Sequence, residues 1–136
     1  MKNGKRKWLC ILLAAILLST ALINFDPKIK AEKFVGRWGK AIEEGIASGT
    51  GVPAGAGDFV GNDEMIQFTL SARGFGSQTS YYGVYYAYED VPHTFQYGDW
   101  ELTEIREGVW EWQGGGDNHG LTEKIRDHWY YFEMYF

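Results

Sequence analysis

The spacing of apolar and polar residues changes along this 136-residue chain, and each change predicts a different element. Lys2, Lys5, Arg6 and Lys7 precede an apolar run from Trp8 to Ile23. About 16 apolar residues behind a cationic start fit the n-region and h-region of a secretory signal, whose core is shorter than the roughly 20 residues of a spanning helix. Ser19-Thr20-Ala21 and Ile29-Lys30-Ala31 offer small residues for cleavage, but neither is an Ala-x-Ala site. An uncleaved membrane anchor therefore stands beside the cleaved signal peptide as a reading. In both, the cations stay cytoplasmic and the rest crosses.

Residues 24–33 are polar, contain Pro27 and read as a tether or a signal-peptide exit, with an N-terminal segment of residues 1–31. Phe34, Trp38, Ile42 and Ile46 then recur at helical spacing, interrupted by Gly36 and Gly39. A short helix and an opening strand fit equally. From Gly45 to Gly61 six glycines and Pro53 make a regular element costly, which predicts a mobile loop: a plain surface connection or a lid. No Gly-Lys-Ser/Thr closes it, so it is not a phosphate cradle.

Beyond Gly61 the period becomes two. Ile66, Phe68 and Leu70 alternate with Gln67, Thr69 and Ser71, the pattern of a strand with one buried and one wet face. The Tyr-rich and Val-containing stretch Ser80 to Glu89 favours a second strand, stopped by Pro92. Leu102 to Arg106 and Val109 to Gln113 flank Glu107-Gly108 as a hairpin. Gly114 to Gly120 is a loop, and Trp129 to Phe136 a closing strand. Leu121, Ile125, Trp129, Phe132 and Phe136 also trace a helical stripe that Thr122 could cap. The aromatic run Trp129-Tyr130-Tyr131-Phe132 is poor helix sequence, so a strand pair is preferred. The expected fold of residues 32–136 is one mainly β domain, an antiparallel meander or partial barrel with room for one short helix.

Phe34-Val35-Gly36-Arg37-Trp38 at the start of this domain resembles the opening of lipocalin-like barrels, where a Gly-x-Trp motif sets a Trp across the closed end. Glu64 to Gly76, with Phe68-Thr69 running into a Gly-rich turn, is similar to a second segment of that family. The resemblance implies a structural Trp38 with Arg126 stacked on it.

Charge then narrows the partners. Residues 32–136 hold 7 Lys+Arg against 17 Asp+Glu, a formal charge of about −10. That argues against nucleic acid and anionic membrane surfaces, with membrane contact only through the N-terminal segment. A neutral small molecule, a carbohydrate or a basic protein is compatible. The same residues carry 5 Trp, 9 Tyr and 7 Phe, too many aromatics for a disordered tail. Cys10, the only cysteine, sits at the start of the apolar run and not after it, which argues against lipidation. The domain therefore has no disulfide, cysteine-ligated metal or thiol nucleophile. No cofactor or metal is expected.

Three groups of residues could act. Trp110 and Trp112 fall on one side of a strand, opposite Val109 and Glu111, and with Tyr86 and Tyr88 they either fill the core or form a platform for sugar rings or a partner. Asp117 and His119 share the Gly-rich loop, where mixed N and O groups can bind or exchange protons. His93 and His128 read as turn residues. Glu101, Glu104, Glu107 and Glu111 read as a solvated face rather than a glycosidase pair. The expected function is an exported, non-catalytic module for a small ligand or carbohydrate. Alternatives are a small secreted hydrolase using Asp117, His119 and a nearby Glu, and an acidic protein-binding or inhibitory domain.

Overall fold

The computed structural model describes residues 8, 11–16, 18–19, 26–76, 78–95 and 98–136. Lys2, Lys5, Arg6, Lys7, Cys10, Thr20, Ala21 and Ile23, which carried the expectations for export, cleavage and lipidation, lie outside the described residues. The described positions of the apolar run are helical and exposed. Among the described residues, no helix is long and apolar enough to cross a membrane.

From residue 27 onward the stretch read as a tether is helical. Helix α1 spans Pro27–Ser48, 22 residues, so the helix is neither short nor confined to residues 32–47. Local chemistry explains its early start. The Asp26 carboxylate accepts the Lys28 N–H at 2.9 Å, and Pro27 fills the first turn, where its missing N–H costs nothing. Gly49 ends the helix in the left-handed region, its N–H donating to the Ile46 carbonyl. Ala31, Val35, Gly39, Ile42 and Gly45 form the buried stripe. Gly36 and Gly39 do not break the helix, since one lies on the open side and the other lets the helix approach the sheet. The predicted loop is shorter than expected at both ends, because Gly45 is helical and Gly61 belongs to a strand.

Among the described residues, seven antiparallel strands form one open sheet: β1 (Val60–Gly61), β2 (Met65–Phe75), β3 (Gln78–Ala87), β4 (Thr103–Arg106), β5 (Val109–Gln113), β6 (His119–Arg126) and β7 (Trp129–Tyr135). Their spatial order is β1-β2-β3-β7-β6-β5-β4. Two meanders thus meet where β3 pairs with β7, so the chain must pass from β3 to the far edge before β4 begins. Residues 121–136 are a strand pair, as the aromatic run predicts, turning at Asp127-His128. His128 adopts φ 65° there. Glu107-Gly108 makes the expected hairpin turn, with Gly108 at φ 73°.

Both faces of the sheet carry a covering layer, which corrects the expected wet face of β2 at Gln67, while Thr69 is exposed as expected. Met65, Ile66, Gln67 and Phe68 are all buried in succession. On one face α1 packs over Ile66, Phe68, Val84, Trp129 and Tyr131, with Phe34 4.9 Å from Phe68 between ring centroids. On the other, the connection from Tyr88 to Leu102 lays Phe95, Trp100 and Leu102 over Tyr85, Trp112, Tyr130, Phe132 and Met134. Two layers around one sheet give this small domain two apolar cores, each stabilised by burial at about 25 cal/mol per Å².

Trp38 sits half-buried on α1, with the Arg37 guanidinium 5.2 Å from its ring centroid. Arg126 instead reaches Glu43 at 2.6 Å, and the same Glu43 oxygen accepts the Trp129 indole N–H at 2.7 Å. The expected Arg126–Trp38 stack is therefore replaced by an ion pair that ties α1 to the sheet.

Candidate functional site

Pairing in the centre of the sheet sets the geometry of its most promising cleft. His119 opens β6 and Tyr135 ends β7, and the two lie directly opposite each other. Directly opposed side chains share a face, and here the imidazole and phenol stack, centroids 4.8 Å apart and planes 15° from parallel. Tyr82 in β3 meets Tyr135 edge-on at 6.2 Å, and the Arg73 guanidinium stands 5.9 Å from the Tyr82 centroid. An aromatic row with a terminal cation thus crosses β2, β3, β7 and β6.

The β5–β6 turn and the β2–β3 hairpin rise on either side of this row. Between them lies a cleft of about 670 Å³, to which the hairpin contributes Arg73, Gln78 and Thr79, and the turn Asp117, Asn118 and His119. The turn holds its shape internally: Gly114 N–H donates to the Asn118 carbonyl at 2.7 Å, and the Gln113 amide nitrogen donates to the same carbonyl at 3.1 Å. His119 Nδ1–H donates to the Asp117 backbone carbonyl at 2.7 Å, which turns Nε2 away from that bond. The Tyr135 hydroxyl donates to Glu133 at 2.7 Å. Burial first, then the Glu133 carboxylate, pushes the Tyr135 phenol well above its ordinary range, so it remains a neutral hydrogen-bonding group.

A second cleft of about 670 Å³ lies by the start of β2, with Asp63, Glu64, Asp99 and Glu101 among its lining residues. His93 borders it, its Nδ1 3.6 Å from a Glu64 oxygen. Burial lowers the His93 pKa, and Glu64 only partly offsets that. Among the described residues, no group of three or more His, Cys, Asp or Glu is placed to hold a metal ion.

The six residues singled out by sequence fall in three places. Asp117 and His119 line the first cleft. Tyr86 and Tyr88 lie on the α1 side, where Tyr86 stacks on His128 at 5.3 Å and meets Tyr88 edge-on at 5.9 Å. Trp110 and Trp112 share the opposite face, as alternation predicts, with Trp112 buried and Trp110 half-buried against Tyr130. Glu101, Glu104, Glu107 and Glu111 are all exposed.

Sequence reasoning did not single out Tyr135, Thr79, Gln78 and Arg73. Period two through Trp129–Tyr135 puts Tyr135 on a defined face, but only the register with His119 joins it to the loop. No protein-family model, curated protein or solved structure matches the chain.

Proposed function

We propose that this chain is an exported, non-catalytic binding module that takes a small neutral ligand, best a carbohydrate, in the cleft between the β2–β3 hairpin and the β5–β6 turn. The observation that carries the reading is the His119–Tyr135 stack set among Gln78, Thr79, Asp117 and Asn118. A sugar ring offers an apolar C–H face and a rim of hydroxyls. An aromatic plate bordered by amide, hydroxyl and carboxylate groups answers both. Because the sheet is open, the ligand would lie across the end of the sheet, not inside a lipocalin-like barrel.

The hydrolase alternative draws less support. His119 contacts the backbone of Asp117, not its carboxylate, and Glu133 is engaged by the Tyr135 hydroxyl. Neither contact makes a histidine–carboxylate pair poised to move a proton. Export rests on the cationic start and the apolar run.

The test is a calorimetric or NMR titration of the full chain with neutral oligosaccharides, compared with Tyr135→Ala and His119→Ala. Binding that both substitutions weaken by about tenfold or more supports the reading. Binding that ignores both, or no binding across a broad neutral glycan panel, overturns it. Turnover of a glycoside would move the hydrolase to the front.

A further inference from the structure

The outer edge of β2 is built for contact, although Arg73 and Gly74 near its end also line the first cleft. β2 runs for 11 residues, but β1 lies beside only Ile66 and Gln67. Past Gln67 no strand flanks that edge among the described residues. Hydrogen-bond phase identifies the groups left facing outward. Thr79 exchanges both backbone bonds with Phe136 beyond the end of β7, so its neighbours Gln78 and Ser80 turn theirs toward β2, opposite Phe75 and Arg73. Ala72 and Gly74 therefore direct N–H and C=O away from β3, and both residues are exposed. A row of such groups is a template for another strand.

Charge selects the occupant. Residues 65–88, which include all of β2 and β3, contain no Asp or Glu in a chain that has 18. The opposite edge is different: β4 has only four residues, with acids at Glu101, Glu104 and Glu107. Short and charged edges repel strand addition, whereas β2 is longer and free of acids, its own irregularity lying between Thr69 and Ser71. Residues 32–136 carry about −10, so two copies repel wherever their carboxylates meet. The β2 edge is where they do not meet. Beside it Phe75 is 98% exposed, an apolar ring with nothing over it in the single chain.

We propose that a second copy of this chain pairs antiparallel along this edge, β2 against β2 about a two-fold axis, joining two seven-stranded sheets into one. An axis beside Ala72 sets Arg73 of each copy opposite Ser71 of the other and carries Phe75 toward the irregular stretch at Leu70, on the α1 side of the sheet. The contact is self-complementary, as a two-fold interface requires.

Sedimentation of the full chain, held in mild detergent because of its apolar N-terminal run, tests this. The expected result is a protein mass that rises from monomer to dimer with concentration. Ala72→Pro removes an outward N–H without touching the β2–β3 ladder, and Thr69→Glu brings a carboxylate to the edge. Each should weaken self-association by about tenfold or more while leaving the β circular dichroism in place. If Ala72→Pro fails to fold, Thr69→Glu decides alone, because it changes only an exposed side chain. Association that survives both substitutions comes from elsewhere, such as the N-terminal run, and overturns the proposal. A monomer at every concentration overturns it too, leaving the edge to a strand of another protein.

Discussion

Trp100 lies flat on Trp112, ring centroids 4.3 Å apart and planes 6° from parallel. The first comes from the long connection after β3 and the second from β5, so this stack fastens the covering layer to the sheet. Beneath it Gly120 leaves no room for a side chain: a Cβ there would stand 2.5 Å from the Trp112 indole. Trp112 is thus held between Trp100 and the β6 backbone. Trp112→Ala is expected to cost about 3–5 kcal/mol in urea unfolding. Trp110, half-buried, should cost clearly less. Equal and negligible losses at both positions would remove the core assignment for this face.

The helix glycines give a test of sign. A methyl group at Gly36 meets nothing within 4 Å, whereas at Gly45 it would run into the Gly51 carbonyl. Gly36→Ala should therefore stabilise the protein by about 0.5–1 kcal/mol through helix propensity alone. Gly45→Ala should destabilise it by about 1–3 kcal/mol, since backbone must move to make room. Thermal melts of the two variants shifting in the same direction would contradict the packing of α1 against the loop that follows it.

Strands were legible where side chains alternate and turns carry Gly, which is why Ile66-Phe68, Glu107-Gly108 and the Trp129 strand lie where periodicity places them. The covered second face of the sheet was not legible, because Phe95, Trp100 and Leu102 arrive from a connection with no period of its own. Pro27 looked like a break and acts as a helix start, since proline disrupts a helix only past its first turn. In the cleft, Asp117 and His119 were visible from the Gly-rich loop. Tyr135 was not, because its place beside His119 depends on a register between β6 and β7 that composition does not encode.

Asp90 joins the two meanders and predicts an acid response. Its carboxylate accepts the His128 N–H at 2.7 Å, the Lys124 ammonium at 2.8 Å and the Tyr130 hydroxyl at 3.1 Å. Burial opposes ionisation, but these three donors together hold the carboxyl below its ordinary 3.8. A depressed carboxyl adds stability above its unfolded value and loses it as pH falls from there through the folded value. His93 acts earlier. Its lowered pKa means the unfolded chain takes up the proton first, so stability begins to fall below about pH 6.5. Denaturation midpoints should decline in two stages on acidification. His93→Gln should remove the first and Asp90→Asn the second, and an unchanged profile in either variant would refute its assignment.

On the alkaline side the buried phenols take over, and Tyr85 is the one with a defined circuit. The His93 N–H donates to its oxygen at 2.9 Å, its own hydroxyl donates to Thr122 Oγ1 at 2.6 Å, and Thr122 donates in turn to the Tyr131 carbonyl at 3.1 Å. Burial, the largest cause, drives the Tyr85 pKa far above 10, and the contacts with Thr122 and the His93 backbone only soften that rise. Because the unfolded phenol ionises near 10, stability should fall as pH rises past that value, with tyrosinate absorbance appearing together with loss of the β signal. Tyr85→Phe leaves the His93 N–H without its acceptor and should cost about 1–3 kcal/mol at neutral pH. The same variant should flatten the alkaline decline, because one resistant phenol is gone. Thr122→Val breaks the same chain one link further on, so the double variant should lose less than the two single losses added together. Strict additivity would show that Tyr85 and Thr122 act independently and that the circuit does not exist.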